Sequence, residues 1–391
     1  MQVLLATCAA WHLRQTAKTF EARNALAGLW ISDKNSTALP PGKYRRCWPY
    51  HLAMKPFYHC APQVWRERAM YALLPFWKVW VRRQFARADR PRFDAIHAIM
   101  GFGTEFFDEA ERSGALKVLD CPNSHPTSYY GYWQRECDVW CPGDKVPIPD
   151  WMFARMNREL ERADVILCPS LFVRDTMVAN GLPADKCFIN PFGVDTRVFT
   201  PREQVPAKPR FVCVGTICLR KGHQYLFRAF ETVKARLPEA ELVCVSDIGF
   251  KRDFRLERPK WEGKFIHHQR LPHAELSELL RTGTAFVLAS VEEGFARVIS
   301  EAMAAGLPII ATHESGATTQ VTDGAEGFIV SARNPEKLAD AMLQLALDAG
   351  LNQRMGRAAY EKGAARNTWQ DYGDRLLAEY QRRASQSSSA S

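Results

Sequence analysis

Glu293 and Glu301 bracket the run Glu293-Gly294-Phe295-Ala296-Arg297-Val298-Ile299-Ser300-Glu301. An apolar stretch at 285–289 leads in, and 307–311 reads as the next strand. The unit is strand, glycine-containing turn, short helix, strand. Such a turn aims backbone N–H groups at whatever sits over the strand end, and the helix N-terminus adds positive potential, which suits a phosphate. A carboxylate before the turn and another inside the helix can each accept hydrogen bonds from sugar hydroxyls. Two acids flanking a phosphate cradle are the chemistry of a nucleotide-sugar site.

The elements around this unit alternate between strand and helix, which argues for an α/β class with parallel sheets. Strands are expected at 3–7, 93–100, 116–120, 165–168 and 188–191, with helices from about residue 104 and at 156–163. The segment 200–209 is polar and carries Pro201, Pro206 and Pro209, the composition of a linker. The alternation restarts after it, with strands at 211–214, 241–246, 264–267, 285–289 and 308–311. Helices at 224–235, 335–348 and 368–383 follow the same period, and the Ser-rich segment 386–391 reads as a disordered tail. Two doubly wound domains therefore meet near residue 200. Ligands of open α/β sheets bind beyond the carboxyl ends of the strands, so a cleft between the domains is the expected site.

Composition narrows the classes. With 391 residues, 47% of them hydrophobic, the chain is large enough for two packed domains. No apolar run reaches the ~18 residues needed to span a bilayer. The start, Met1-Gln2-Val3-Leu4-Leu5, lacks a basic n-region and reads as a strand and not a signal peptide. The 11 cysteines include no C-x-x-C, and Cys168, Cys213 and Cys244 lie in apolar runs, which favours a reducing cytoplasm. Cys137/Cys141 has no second ligand pair at zinc spacing, so no metal site is expected. The net charge of +9 fits nucleic acid, anionic lipid or phosphorylated substrates, and no nucleic-acid-binding signature accompanies it. Gly101-Phe102-Gly103-Thr104-Glu105-Phe106 starts like a dinucleotide fingerprint, but Phe106 replaces the last glycine.

These residues resemble a retaining nucleotide-sugar glycosyltransferase of the glycosyl transferases group 1 (family 4). The resemblance covers most of 155–385: Ala163-Asp164-Val165-Ile166, Pro191-Phe192-Gly193-Val194-Asp195, Lys221-Gly222, the run 293–308, and Thr368-Trp369 with Tyr372. Residues 1–150 match far less well. The resemblance implies the α/β GT-B fold, two Rossmann-like doubly wound domains facing across a cleft. It implies a first domain over 1–200, a donor-binding domain over 201–367, and a closing helix at 368–385 returning to the first domain. No cofactor is implied.

The resemblance also implies residue roles. Glu293 would contact donor-sugar hydroxyls and Glu301 the ribose hydroxyls. Gly294, Phe295, Ala296, Arg297 and Val298 form the turn whose N–H groups meet sugar and phosphate. Arg297 stands where the family commonly has an apolar residue, and faces either substrate or solvent. Lys221 matches the lysine that neutralises the diphosphate leaving group, a role that lowers the barrier because charge builds there in the transition state. The family's arginine five residues earlier is Thr216 here, and Arg220 is the candidate substitute. Gly316 matches a family glycine as turn residue or ligand, and the glutamate that usually follows is Gln320. His125 matches a histidine that contacts the transferred sugar. The first-strand loop, Thr7 to His12, lacks the usual glycine pair and would shape the acceptor side, with His12 a minor candidate.

Residues 64–92 carry Trp65, Trp77 and Trp80 among Arg66, Arg68, Lys78, Arg82 and Arg83. Tryptophan and arginine bordering a short apolar centre suit an interfacial helix on an anionic membrane. A core helix with aromatic packing is the other reading. The expected activity is metal-independent transfer of a hexose from a UDP- or GDP-linked sugar to a saccharide or lipid-linked acceptor. Another GT-B reaction, an epimerase or phosphorylase, and a catalytically degenerate membrane-associated protein are the rivals.

Overall fold

The computed structural model describes residues 1–8, 12–32, 39–40, 42–60, 63–143, 145–146, 148–246, 261, 263–364 and 367–389. The expected loop segment 9–11 and the loop around Asp247 lie outside the described residues.

The first sheet contains β1 (Val3–Thr7), β2 (Leu26–Ile31), β3 (Tyr44–Arg46), β4 (Ala95–Ile99), β5 (Leu116–Asp120), β6 (Val165–Cys168) and β7 (Cys187–Ile189). Its order is β3-β2-β1-β4-β5-β6-β7, with all pairs parallel. The second contains β8 (Arg210–Val214), β9 (Glu241–Val245), β10 (Ile266–His268), β11 (Ala285–Leu288), β12 (Ile309–Thr312) and β13 (Gly327–Val330). Its order is β10-β9-β8-β11-β12-β13, again parallel. Central strands such as β1, β4 and β11 are buried along their whole length, as sheets covered by helices on both faces require. The fold is GT-B.

Strand order reverses between β1 and β4 in one sheet and between β8 and β11 in the other. A crevice opens at such a reversal because the flanking connections leave to opposite faces. Glu293 follows β11 and Lys221 follows β8, so the sequence places both beside the second crevice.

The chain returns to the first domain through the helix Trp369–Ser389. Its Tyr372, Leu376 and Tyr380 are buried with Val3, Leu5 and Phe20. Tyr380 Oη hydrogen-bonds His97 Nδ1 at 2.9 Å, and Arg23 pairs with Asp374 at 2.7 Å. A Cβ on Gly373 would stand 2.4 Å from Thr19 Cγ2, so this crossing needs a glycine. The helix runs through Ser389, which corrects the expectation of disorder from 386; residues 390–391 lie outside the described residues. No Pro or Gly interrupts 374–389, and Arg382 reaches Gln386 one turn on.

The segment 64–92 is not one helix. It divides at Leu73 into Gln63–Ala72 and Leu74–Phe85, and the side chains of 64–67 lie outside the described residues. Leu74, Trp77, Val81 and Phe85 are buried, with Trp77 stacked on Trp80 at 5.3 Å, which is the core-helix reading for that face. Phe76, Val79, Arg82 and Arg83 lie on the exposed face. Among the described residues no helix is long and apolar enough to cross a membrane.

Candidate active site

Lys221 ends a one-turn 3-10 helix after β8, and Glu293 follows β11. The two side chains form an ion pair through Lys221 Nζ and Glu293 Oε2. Ser290 Oγ donates to the same carboxylate oxygen at 3.2 Å. Burial pushes the Glu293 carboxyl up, but Lys221 and Arg220 outweigh it and hold it below the usual carboxylate range. The sequence-predicted sugar contact and diphosphate cation are thus brought together.

Arg220 is committed elsewhere. Its Nη1 donates to Glu292 O at 2.9 Å and to Glu292 Oε2 at 3.1 Å. Glu292 is fully buried, and its Oε1 accepts from Ser124 N at 3.1 Å and Ser124 Oγ at 2.9 Å. Ser124 precedes His125, so Glu292 pins the histidine segment of the first domain to the acidic turn of the second. Sequence reasoning passed over Glu292. The Glu292-Glu293 doublet was the available signal, since two adjacent acids on a turn point to different sides.

Gly294 lies where the domains touch: a Cβ on it would stand 1.7 Å from Pro122 O. Phe295 inserts its ring into the first-domain cluster, 5.7 Å from Phe192. Gly316 has φ +71°, and a Cβ there would meet Gly294 O at 2.7 Å, so it serves the turn that carries Gly294. The helix Arg297–Ala304 starts after Ala296 without a side-chain cap and without an acid in its first turn. Its leading N–H groups therefore lack a side-chain cap, the condition under which a helix start can take an anion. Gln320 holds this end, accepting from Ser300 Oγ at 2.5 Å and donating to Ala296 O at 3.2 Å. Val298 packs on the second-domain core and Arg297 is exposed.

Glu301 is 9% exposed on that helix. Burial raises its carboxyl above the usual range, while His273 and Arg297 pull it back. A buried carboxylate of this kind gains from hydroxyl donors supplied by a ligand.

His125 caps the helix Pro126–Trp140, its Nδ1 accepting from Thr127 N at 3.2 Å. Burial pushes the imidazole down to about 4. With Nδ1 an acceptor, the ring proton belongs on Nε2, which leaves a neutral donor. Three further bonds tie the domains together away from the turn. Glu136 Oε2 accepts from Gln224 Nε2 at 2.7 Å and Tyr225 Oη at 2.9 Å, and Glu136 Oε1 from Arg333 Nε at 2.6 Å.

The glycine pair at 101–103 is not a phosphate loop. Gly101 N, Gly103 N and Thr104 N all donate to the buried Glu159 carboxylate, at 2.5, 3.0 and 2.8 Å. An internal carboxyl group already fills that position. His12 Nε2 lies 2.6 Å from Asp120 Oδ2, and its ring packs 4.3 Å from Phe192. His97 Nε2 reaches the same Asp120 oxygen at 2.9 Å. Burial raises the Asp120 carboxyl, yet the two histidines outweigh it and hold it well below its usual range.

Residues 198–362 match the family described as Glycosyl transferases group 1. This stretch, less than half of the chain, is what resembles the group 1 glycosyl transferases. A D-inositol 3-phosphate glycosyltransferase of Kribbella flavida is 29% identical over 240 residues, 56% of this chain and 56% of that protein. A GDP-mannose-dependent alpha-(1-6)-phosphatidylinositol monomannoside mannosyltransferase of Mycobacterium tuberculosis is 26% identical over 286 residues, 68% of this chain and 70% of that protein. The matched stretch spans about half the length of the first of these curated relatives. Sucrose-phosphate synthase from Thermosynechococcus elongatus superposes with a TM-score of 0.72 at 18% identity, covering 100% of both chains. Anabaena HepE in complex with UDP-glucose superposes at 0.66 and 14% identity, covering 97% of this chain and 99% of that one. These likenesses show the GT-B fold.

Proposed function

We propose that the chain transfers a hexose from a UDP- or GDP-linked sugar to a hydroxyl of a saccharide or lipid-linked acceptor, with retention and without a metal. The observation that carries this reading is the Lys221–Glu293 pair at the crevice of the second sheet, beside an uncapped helix N-terminus and a buried Glu301.

Each group has a task on this reading. The helix N–H groups and Lys221 hold the diphosphate, and Glu301 accepts from the ribose hydroxyls. Glu293 and the neutral His125 position the sugar, the first accepting and the second donating through Nε2. Transfer breaks the bond from the anomeric carbon to the phosphate oxygen, and the electron pair leaves with the diphosphate. The acceptor hydroxyl oxygen forms the new bond to that carbon, and its proton passes to the departing diphosphate. Lys221 stabilises the charge that develops on the leaving group, which is worth more in a partly dry site than in water. Retention comes from the family resemblance, and metal independence from a leaving group served by protein cations.

Relatives named for inositol phosphate and phosphatidylinositol acceptors support a phosphorylated or lipid-linked acceptor here. Docking on an anionic inner membrane face would then be useful. The exposed Phe76, Val79, Arg82 and Arg83 on Leu74–Phe85 have the composition for it. Free thiols at ten described cysteines agree with a cytoplasmic site.

A second reading is favoured by Thr216 at the missing arginine position together with the commitment of Arg220 to Glu292. On it the chain binds nucleotide and membrane without transfer. The deciding experiment incubates the protein with UDP- or GDP-hexose and phosphatidylinositol or inositol phosphate, and follows diphosphate release and the anomeric configuration of the product by NMR. Acceptor-dependent release with the donor's configuration supports the transferase. Tight diphosphate binding with no release supports the second reading.

A further inference from the structure

Glu136 is a buried acid of the first domain whose hydrogen-bond donors belong to the second. Its Oε2 accepts from Gln224 Nε2 at 2.7 Å and Tyr225 Oη at 2.9 Å, and its Oε1 from Arg333 Nε at 2.6 Å. We propose that Glu136 is a positioning residue, which holds from the first domain the short turn of the second that presents Lys221. The inference rests on the donor reading above, in which Lys221 serves the leaving diphosphate, and adds what sets that cation in place.

Gln224 makes the connection. Its Nε2 donates both to Glu136 Oε2 and to Leu219 O at 3.0 Å, and Leu219 opens the one-turn helix Leu219–Lys221. The reversed amide would set its oxygen against a carboxylate and a carbonyl, so the two acceptors together fix one orientation. Gln224 is fully buried, so removing the acid leaves an amide donor that solvent does not reach.

The turn is gripped on its other sides as well. Gly222 has φ +69°, and a Cβ there would stand 1.8 Å from Ala289 O, just past β11. Arg220 is bonded to Glu292, which Ser124 of the first domain holds. Lys221 therefore stands between two tethers to the first domain. One runs from Ser124 through Glu292 to Arg220, and the other from Glu136 through Gln224 to Leu219. Both exist only when the domains are docked.

The acid sits on a rigid element. Glu136 lies on the helix Pro126–Trp140, about 16 Å along its axis from the cap His125. At the end of that helix Trp140 packs on the second-domain core, 6.0 Å from Tyr225, with the Arg228 guanidinium 4.4 Å over its ring. A single helix thus carries the proposed sugar contact at its start and the hold on the leaving-group cation near its end. A buried carboxylate needs a cation, and Arg333 supplies it from a left-handed backbone at φ 63°, which long side chains seldom adopt.

The test is a double-mutant cycle on diphosphate release, using the full chain with a UDP- or GDP-hexose and phosphatidylinositol. The proteins are wild type, Glu136→Gln, Lys221→Met and the double variant. Glu136→Gln should lower kcat by about 10–10²-fold and change donor KM by less than about twofold, the pattern of a misplaced group. In the Lys221→Met background the same substitution should lower kcat no further, because Glu136 acts through that lysine. An equal loss in both backgrounds, or a loss confined to KM, overturns the positioning role. Gln224→Met removes the connection but leaves Glu136 its bonds to Tyr225 and Arg333. It should reproduce the loss, and full kcat in this variant also overturns the role. Hydrogen exchange of the peptide 216–225, read by mass spectrometry, tests the hold without turnover. Exchange about tenfold faster in Glu136→Gln and Gln224→Met is expected for a loosened segment, and unchanged exchange overturns the hold. A folded wild type that releases no diphosphate, while the turn still loosens in the variants, removes the donor reading and leaves the hold on the turn standing.

Discussion

Lys221 Nζ and Glu293 Oε2 are ion-paired where the strand order of the second sheet reverses. On the proposed reading a donor diphosphate would compete with Glu293 for that ammonium, and the lysine would serve a structural contact and a substrate contact in turn. Lys221→Met should lower kcat by about 10²–10³ with a much smaller change in donor KM, because the cation acts on developing charge. Steady-state kinetics read this directly. A change confined to KM would contradict the role given to Lys221.

Gly294 has no room for a side chain. A Cβ would stand 1.7 Å from Pro122 O, a backbone atom of the other domain. Gly294→Ala should cost about 1–3 kcal/mol, as overpacking does, or force the domains apart. Denaturant melts measure the first outcome, and small-angle scattering the second. An unchanged melt with unchanged dimensions would show that the two segments do not touch in solution.

Ser124 and Glu292 are predicted to be coupled across the domain boundary. Ser124 donates twice to a carboxylate that also holds Arg220. A double-mutant cycle of Ser124→Ala and Glu292→Gln should give a coupling of about 0.5–3 kcal/mol in stability. Additive effects would mean that the contact does not form.

His125 gives a pH prediction with a fixed sign. Its folded-state value is pushed down to about 4 from an ordinary 6.5, so the unfolded chain binds the extra proton first as pH falls. The stability it contributes is fully present above 6.5 and is lost as pH falls through about 4. The loss is up to about 3 kcal/mol, since each tenfold difference in proton affinity between the folded and unfolded chain is worth about 1.4 kcal/mol. His125→Asn can still cap the helix but does not titrate, so it should flatten the melting profile between those limits. An equally steep profile in the variant would assign the acid sensitivity to other groups.

The acid run was legible in the sequence because it is local. Strand, turn, helix and both glutamates fall within one supersecondary unit whose spacing has a direct physical meaning. Lys221 was legible through the family resemblance and not from local spacing, since its partner Glu293 lies 72 residues away. Glu292, Ser124 and Glu136 were not, because their partners lie 72 to 197 residues away in the chain and no local pattern announces them. The strands β2, β3 and β13 were also passed over. β2 follows a turn at Asn24 with φ 53°, a left-handed position filled without glycine, so the usual punctuation is missing. β3 and β13 are short pieces of 3 and 4 residues. In Leu74–Phe85, tryptophan content alone could not tell which face is buried; packing around Trp77 identifies it.

The most direct test of the donor site is calorimetric titration of UDP and GDP into wild type and Glu301→Ala. Glu301 is buried, touches no essential interdomain bond described above, and faces His273 and Arg297. One diphosphate should bind wild type, and the variant should bind it about tenfold or more weakly, the loss expected for hydrogen bonds to a charged group. Binding to neither diphosphate by folded wild type, or equal affinity in the variant, would contradict the donor site.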